Sequence, residues 1–347
     1  MQFSNPMNGF LTTLCCVLLF ACNNNPENAC PDRGGTDFRL SLIEQTTSLP
    51  SSVSIFYKVD RQNGEAVPNL QADDFTIFEK GRNDVCEQPI SIFEASAQII
   101  QDPQIFIYCT SLILDLSGSV LGTSLGELKT SAKAFVDKVL PPGQSDAYKM
   151  GIYWFNGEQD LKELVAPTRD EEALKAAIDG IDPSISNDNS TNLYGAVLQG
   201  TQLAEQGLAD FQSNQIISAA SIVVFTDGRD QAGIVAKEDA LNAVNLANDN
   251  IAFFTIGLGG ETDTDILQQI GKDGSVFAVD QAALEATFDQ VASLVYNEAN
   301  SYYFFSYCSP KRDGSGVNNL KIRLQVGQEA GFLSTTFDAT GFTAGCD

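Results

Sequence analysis

The amino-acid sequence predicts an α/β fold: a doubly wound, mostly parallel sheet inserted into a small β-sandwich built from the N- and C-terminal segments. Between residues 101 and 300, strand-like apolar runs alternate with amphipathic helical patterns, which is typical of a sheet with helices on both faces. Residues 37–100 and 301–347 carry only strand-like alternation. Each flank alone would leave an apolar face and open sheet edges uncovered, so we expect the two to pack together.

The 347-residue chain is strongly acidic and contains no histidine. It carries 45 acidic and 20 basic residues, for a formal charge of −25. Such a surface repels nucleic acids and anionic membranes, although most of this charge also simply keeps the surface solvated. Without histidine, Ser-His-Asp and Cys-His catalysis are excluded within the chain. We therefore expect no enzyme, no nucleic-acid partner and no small-molecule substrate.

Residues 1–21 have the pattern of a signal peptide, with no charged side chain and a short apolar run over residues 10–21. The run ends Leu19-Phe20-Ala21-Cys22, which resembles the lipobox of bacterial lipoproteins. The resemblance implies cleavage before Cys22 and a lipid on its thiol, with residues 22–36 as a lipid-anchored tether. Asn23 is not the Asp that retains some lipoproteins in the inner membrane, which favours the outer membrane of a bacterial cell envelope. An ordinary secretory signal cut nearby is the alternative.

Five cysteines would then remain in an oxidising compartment, where disulfides form. The best candidate pair is Cys308 with Cys346, because these two bracket the β-rich C-terminal stretch. Cys86 with Cys109 is a second possibility, and Cys30 with Cys86 is its rival. The odd number leaves one thiol over, and no spacing among them resembles a zinc cluster.

The flanking segments carry short alternating runs. Residues 53–59 and 74–79 alternate, the sequence at 62–65 is typical of a hairpin turn, and Ile90 and Ile92 belong to a further strand. In the C-terminal segment, strands are predicted at 302–307, 320–326 and 332–337.

Predicted strands and helices alternate along the central block. One long helix is predicted after the first strand and ends before Pro141-Pro142. The predicted strands are 105–115, 148–155, 161–165, 221–226, 251–256 and 276–279, and the other predicted helices are 169–181, 193–209, 237–249, 264–270 and a closing helix around 284–295. Strands 148–155 and 161–165 read as a hairpin at the sheet edge.

Polar side chains stand where the central strands end. Asp115-Leu116-Ser117-Gly118-Ser119 follows an apolar run, and Asp227 ends another. Thr191 lies where a loop enters a helix. Open α/β folds bind ligands at the carboxyl edge of the sheet, and hard cations prefer such oxygen ligands. The alternative is that these residues only cap helices and form turns.

With these residues in this order, the block 105–299 resembles a von Willebrand factor A domain. Asp115, Ser117, Ser119, Thr191 and Asp227 match the five positions of that family's metal-ion-dependent adhesion site. The resemblance implies that Ser117 and Ser119 bind the metal directly, Thr191 directly or through water, and the two carboxylates mostly through water. It further implies Mg²⁺, or Mn²⁺ as a close second, with an open position for an acidic side chain of a protein partner.

The flanks carry weaker resemblances. Residues 64–81 resemble an immunoglobulin-like segment that precedes such domains in bacteria, and residues 307–314 with 341–346 resemble the tail of lipoproteins of this type. The leading hypothesis is therefore a cell-surface lipoprotein that binds a partner carboxylate through a divalent cation. The alternatives are an envelope protein whose metal is only stabilising, and a metallohydrolase, which the missing histidine disfavours.

Overall fold

The structure is a computed structural model that describes residues 34–81, 84–90, 98–100, 106–141, 146–311 and 316–343, with the backbone alone at 98–100. The described residues belong to one compact unit. The predicted signal peptide, the predicted lipidation site Cys22, most of the tether, and both Cys30 and Cys346 lie outside the described residues.

Strands and helices are numbered here in chain order. The strands are β1 (Phe38–Ser48), β2 (Ser52–Arg61), β3 (Phe75–Lys80), β4 (Gln88–Ile90), β5 (Gln98–Ile100), β6 (Phe106–Asp115), β7 (Tyr148–Phe155), β8 (Lys162–Thr168), β9 (Ile217–Thr226), β10 (Ile251–Leu258), β11 (Gly274–Ala278), β12 (Tyr302–Cys308), β13 (Val317–Val326) and β14 (Glu329–Asp338). The helices are α1 (Gly118–Thr123), α2 (Leu125–Val139), α3 (Glu171–Gly180), α4 (Leu193–Ser213), α5 (Lys237–Leu246), α6 (Thr264–Ile270) and α7 (Leu284–Ala299).

The central block forms a six-stranded sheet in the order β11-β10-β9-β6-β7-β8. Only the edge strand β8 runs antiparallel to its neighbour, as the hairpin prediction required. Helices cover both faces: α2, α3 and α7 pack on one, and α4, α5 and α6 on the other. Because β6, β9 and β10 are covered on both sides, they read as continuous apolar runs. The predicted α/β fold class is confirmed.

The long helix predicted after the first strand is interrupted. It begins as α1, leaves helical torsion angles at Ser124 (φ −126°, ψ 2°) and resumes as α2. Ser124 is buried, and its hydroxyl accepts a hydrogen bond from Gln281 Nε2 at 3.2 Å. The break turns the first six helical residues into a separate short helix that directly follows the candidate site.

The flanking segments form one eight-stranded sheet in the order β4-β3-β13-β14-β1-β2-β12-β5. The longest strand of the N-terminal flank, β1, was not predicted from the sequence. Strand β1 pairs antiparallel with β2, and the two form a hairpin. The predicted hairpin turn at 62–65 leads only to a single bridge between Asp60 and Ala66. The outer half of β1 is mostly exposed, so its residues lack the strict alternation that would reveal a strand.

The two halves of this sheet face each other as the layers of a sandwich. The Phe75 ring of β3 lies 5.8 Å from Tyr57, 5.9 Å from Tyr303 and 6.1 Å from Phe305, although β3 is not a neighbour of β2 or β12 in the sheet. The halves are joined by a short parallel pairing of Phe38 with Gly331 and Arg39 with Phe332. A buried apolar core, drawn from both flanks, lies between them.

The sandwich contacts the central block at the start of β6 and the end of α7. Phe106 packs its ring 5.0 Å from Phe56 and 5.3 Å from Tyr302. Beside these rings, Lys58 Nζ lies 2.7 Å from Glu298 Oε1 and 3.2 Å from Asp60 Oδ1. Both carboxylates are almost fully buried. Asp60 also accepts a hydrogen bond from the more exposed Arg39 at 3.1 Å, whereas the cation paired with Glu298 is Lys58. The stability of the two buried carboxylates therefore depends largely on the Lys58 ammonium between them.

The cysteine predictions are partly wrong. Cys86 and Cys308 each take part in a disulfide, whereas Cys109 is a free thiol. The pairing of Cys86 with Cys109 is therefore not formed. Cys109 lies in β6, between Lys149 of β7 and Ala220 of β9, inside the six-stranded sheet, whereas Cys86 lies between β3 and β4 of the other sheet. Burial raises the pKa of the Cys109 thiol to about 11. The pairings of Cys308 with Cys346 and of Cys30 with Cys86 stay predictions.

We expect the Lys58→Met variant to lose about 3–5 kcal/mol of unfolding free energy, because Glu298 would stay buried without its cation and Asp60 would keep only the exposed Arg39. Urea unfolding followed by circular dichroism measures the loss. The matched control is Lys138→Met, whose pair with Asp289 lies at the surface and whose removal should cost less than about 1 kcal/mol. Similar small losses in both variants would contradict the stabilising role of Lys58.

Candidate metal site

Three loops meet at the carboxyl edge of the six-stranded sheet. Asp115 is the last residue of β6, Asp227 follows the last residue of β9, and Thr191 precedes α4 by one residue. Strands β6 and β9 are parallel neighbours that pair in register up to Leu114 and Phe225, so their acidic ends lie side by side. The sheet register therefore brings together two residues that are 112 positions apart in the sequence.

The Asp115 carboxylate is fully buried and held from two sides. Its Oδ1 accepts a hydrogen bond from the Ser117 backbone N–H at 2.9 Å, and its Oδ2 accepts one from Thr226 Oγ1 at 2.6 Å. Thr226 Oγ1 in turn accepts a bond from the Gly228 N–H at 3.2 Å. Sequence reasoning missed this positioning role of Thr226. The available signal was a hydroxyl residue immediately before the acidic end of a buried strand.

A chain of hydrogen bonds links three of the five predicted residues. Ser117 Oγ lies 3.3 Å from Ser119 Oγ, and Ser119 Oγ donates to Asp227 Oδ1 at 2.9 Å. Ser117 is buried, Asp227 is partly exposed and Ser119 is exposed. The cluster therefore opens to solvent on the side of Ser119 and Asp227.

Thr191 joins the cluster through its loop. Its carbonyl accepts hydrogen bonds from the backbone N–H groups of Gln231 at 2.8 Å and Ala232 at 3.1 Å, in the loop that follows Asp227. Its Oγ1 lies 3.6 Å from the point that a Cβ on Gly228 would occupy. Thr191 therefore borders the turn that carries Asp227.

The side chain of Asn189 occupies the space beside Gly118. A Cβ added at Gly118 would lie 1.9 Å from Asn189 Oδ1, in the loop that leads to Thr191. Such a contact is far inside van der Waals separation, so a side chain at 118 would displace the Asn189 side chain from its present position. Glycine between Ser117 and Ser119 therefore allows Asn189 to pack against the first loop of the site.

The alternative that these residues only cap helices fails for two of them. Ser117 occupies the N-cap position of α1 but makes no capping hydrogen bond with its side chain. The N-cap of α4 is Asn192, whose side chain accepts from the Gly195 N–H at 3.1 Å, so Thr191 is not the cap. The hydroxyls of Ser117 and Thr191 are thus available at the cluster.

A positive charge close to Asp115 and Asp227 would stabilise both carboxylates in their charged form. Burial raises the pKa of Asp115 to about 6, against the opposing effect of the hydrogen bonds from Thr226 and Ser117. Burial also raises the pKa of Asp227, and the negative charge of Glu261 acts in the same direction. Among the described residues, no lysine or arginine forms an ion pair with either carboxylate. Two carboxylates and three hydroxyls form an all-oxygen donor set that fits a hard dication.

The family is decided by a match to most of the central block. The family model for the von Willebrand factor type A domain matches residues 111–291, which run from β6 into α7. The chain belongs to the von Willebrand factor type A domain family. The match covers about half of the chain and contains all five residues of the candidate site.

Several solved structures are similar to this chain. A von Willebrand factor type A protein from Catenulispora acidiphila has 10% identity and a TM-score of 0.46, covering 88% of this chain and 74% of that one. The vWF domain of the type V pili tip protein Mfa5 from Porphyromonas gingivalis has 14% identity and a TM-score of 0.41, covering 55% and 95%.

A mussel protein is also similar: proximal thread matrix protein 1 from the byssus, with a zinc-occupied MIDAS motif, has 16% identity and a TM-score of 0.44. The match covers 55% of this chain and 49% of the mussel chain, so this chain spans about half of that protein's length. All of these similarities concern the fold alone. A search of curated proteins finds no significant match.

The raised pKa of Asp115 predicts a pH-dependent stability that a dication should abolish. Without metal, the folded state holds a proton up to about pH 6 that the unfolded chain releases near its ordinary value of 3.8. The unfolding free energy should therefore fall as pH rises across this window, by about 2–3 kcal/mol. Urea unfolding in a chelator and in Mg²⁺ should show the fall only in the chelator.

The matched variant is Asp115→Asn, which has no carboxylate to titrate at this position. In the chelator it should lose the part of the pH slope that Asp115 contributes and keep only the part that comes from the raised pKa of Asp227. A slope that is identical in the variant, the chelated protein and the Mg²⁺-treated protein would contradict this interpretation.

Proposed function

We propose that this chain is a cell-surface binding protein that captures an acidic side chain of a protein partner through a divalent cation. Asp115, Ser117, Ser119, Thr191 and Asp227 would hold the cation, with Mg²⁺ or Mn²⁺ as the native ion. The observation that carries the proposal is the convergence at one open sheet edge of a buried carboxylate, Asp115, and a partly exposed one, Asp227, with three hydroxyls. Among the described residues, neither carboxylate forms an ion pair with a lysine or arginine.

The residues of the site have different structural roles. Hydrogen bonds from Thr226 Oγ1 and the Ser117 amide fix the position of the buried Asp115 carboxylate. Ser119 and Asp227 form the solvent-facing side of the site. A bound dication would supply the positive charge that attracts a partner carboxylate. Neutral hydroxyl ligands reduce that charge less than further carboxylates would, so the cation stays attractive to an outside acid.

The location is proposed from the N-terminal sequence. The Leu19-Phe20-Ala21-Cys22 stretch supports a lipid anchor at Cys22 and a place in the bacterial cell envelope, with the outer membrane favoured by Asn23. Among the described residues, no helix has both the length and the apolar character needed to cross a membrane. The domain division, with a sandwich at 37–100 and 301–347 around the block at 101–300, belongs to the same proposal.

The Ser119→Ala variant should bind the cation at least about tenfold more weakly, because it removes one neutral oxygen ligand from the exposed side of the site. Calorimetric titration of the full chain with Mn²⁺ measures the affinity. The matched control is Ser293→Ala on α7, since the Ser293 hydroxyl donates to the Asp289 carbonyl of the same helix. Unchanged Mn²⁺ affinity in Ser119→Ala would count against the site.

The open position should accept a small carboxylate. In the Mn²⁺-loaded protein, acetate should displace bound water and lower the water-proton relaxation enhancement, whereas acetamide, its neutral counterpart, should not. This experiment also separates adhesion from a purely structural metal. If acetate has no effect while Mn²⁺ still raises the melting temperature, the stabilising role alone remains.

A further inference from the structure

We propose that Arg229 is a second anchor beside the cation, so that the site selects a partner segment with two acidic groups, one for the cation and one for the guanidinium. The inference rests on the proposed function, since it assigns a ligand class to the same site. It depends on where Arg229 lies, how it is held and what surrounds it.

Arg229 lies at the rim of the cluster. It follows Asp227 by two residues, so chain geometry keeps the two Cα atoms within about 7 Å of each other. Its side chain is exposed. The same loop continues to Gln231 and Ala232, whose amides bind the Thr191 carbonyl, so the loop is fastened to the site on both sides of Arg229.

A hydrogen bond from Nε orients the Arg229 guanidinium. Arg229 Nε donates to the backbone carbonyl of Glu261 at 3.0 Å, in the loop after β10. Because β9 and β10 are parallel neighbours, both loops emerge at the carboxyl edge that carries the site. Within the described part of the chain, no acceptor is bonded to the two terminal nitrogens. An arginine held through Nε with its terminal nitrogens available presents a fork suited to a carboxylate.

Several acidic side chains lie near the start of α4 and the turn that carries Asp227. The charges of Asp230, Asp263 and Glu238 all act on the hydroxyl of Tyr194, at the start of α4 beside the site. Glu261 acts on Asp227 in the same way. An acidic partner approaching this rim is repelled by these carboxylates, and Arg229 offers a local attraction next to the cation. A ligand with two acidic groups can use both positive charges at once.

Calorimetric titration of the Mg²⁺-saturated full chain tests the proposal with synthetic, end-blocked peptides. One peptide carries a single Asp among Gly and Ser residues, and the others carry two Asp residues separated by zero, one or two positions. We expect the best two-acid peptide to bind about tenfold or more tightly than the one-acid peptide, the effect of one charge-assisted contact.

The Arg229→Gln variant should lower this ratio to about one, while its affinities for Mg²⁺ and for the one-acid peptide stay within about threefold of wild type. Arg229→Lys keeps the charge without the fork and should retain only part of the preference. Lys237→Gln, which removes a charge at the start of α5, is the matched control and should keep the full ratio.

A wild-type ratio near one, or a ratio that Arg229→Gln leaves unchanged, would overturn the role of Arg229. In either case, binding of the one-acid peptide that a chelator abolishes would leave the proposed function standing. Failure of every peptide to bind in Mg²⁺ would instead remove the proposed function itself, and the ligand class with it.

Discussion

Two adjacent parallel strands end on carboxylates at the same edge of the sheet, and this concentration of negative charge governs the rest of the site. Asp115 is fully buried, and Asp227 is partly covered. Burying such groups without a positive partner is unfavourable, and the raised pKa values of both express that cost. Hydrogen bonds from Thr226 and Ser119 offset it only in part. A bound dication is the simplest group that would complete the site.

Contacts between the three loops around these carboxylates keep their oxygen-bearing side chains close together. Gly118 allows Asn189 to approach the first loop, and the Thr191 carbonyl ties the second loop to the third. Each loop therefore depends on the others for its conformation. This interdependence explains why side chains from distant parts of the sequence keep a common geometry at an exposed edge.

The sandwich is attached at the opposite end of the same strand that carries Asp115. Phe106, the first residue of β6, packs against Phe56 and Tyr302 of the sandwich. A ten-residue strand spans roughly 30 Å. The buried Lys58, Asp60 and Glu298 cluster lies at the same junction. In the described part of the chain, the sandwich therefore meets the first end of β6, and the candidate site lies at the other end.

The sequence by itself determined the α/β alternation, nearly all of the central strands and helices, and the five oxygen-bearing residues, because buried parallel strands and the acids that end them are recorded locally in the chain. The expected packing of the two flanks against each other was also correct, but only the tertiary structure decided the order of their strands, that β1 pairs with β2, that Cys109 stays a free thiol, and that Thr226 positions Asp115. These features depend on contacts between residues far apart in the sequence, whose energies come from packing and register and leave no local pattern.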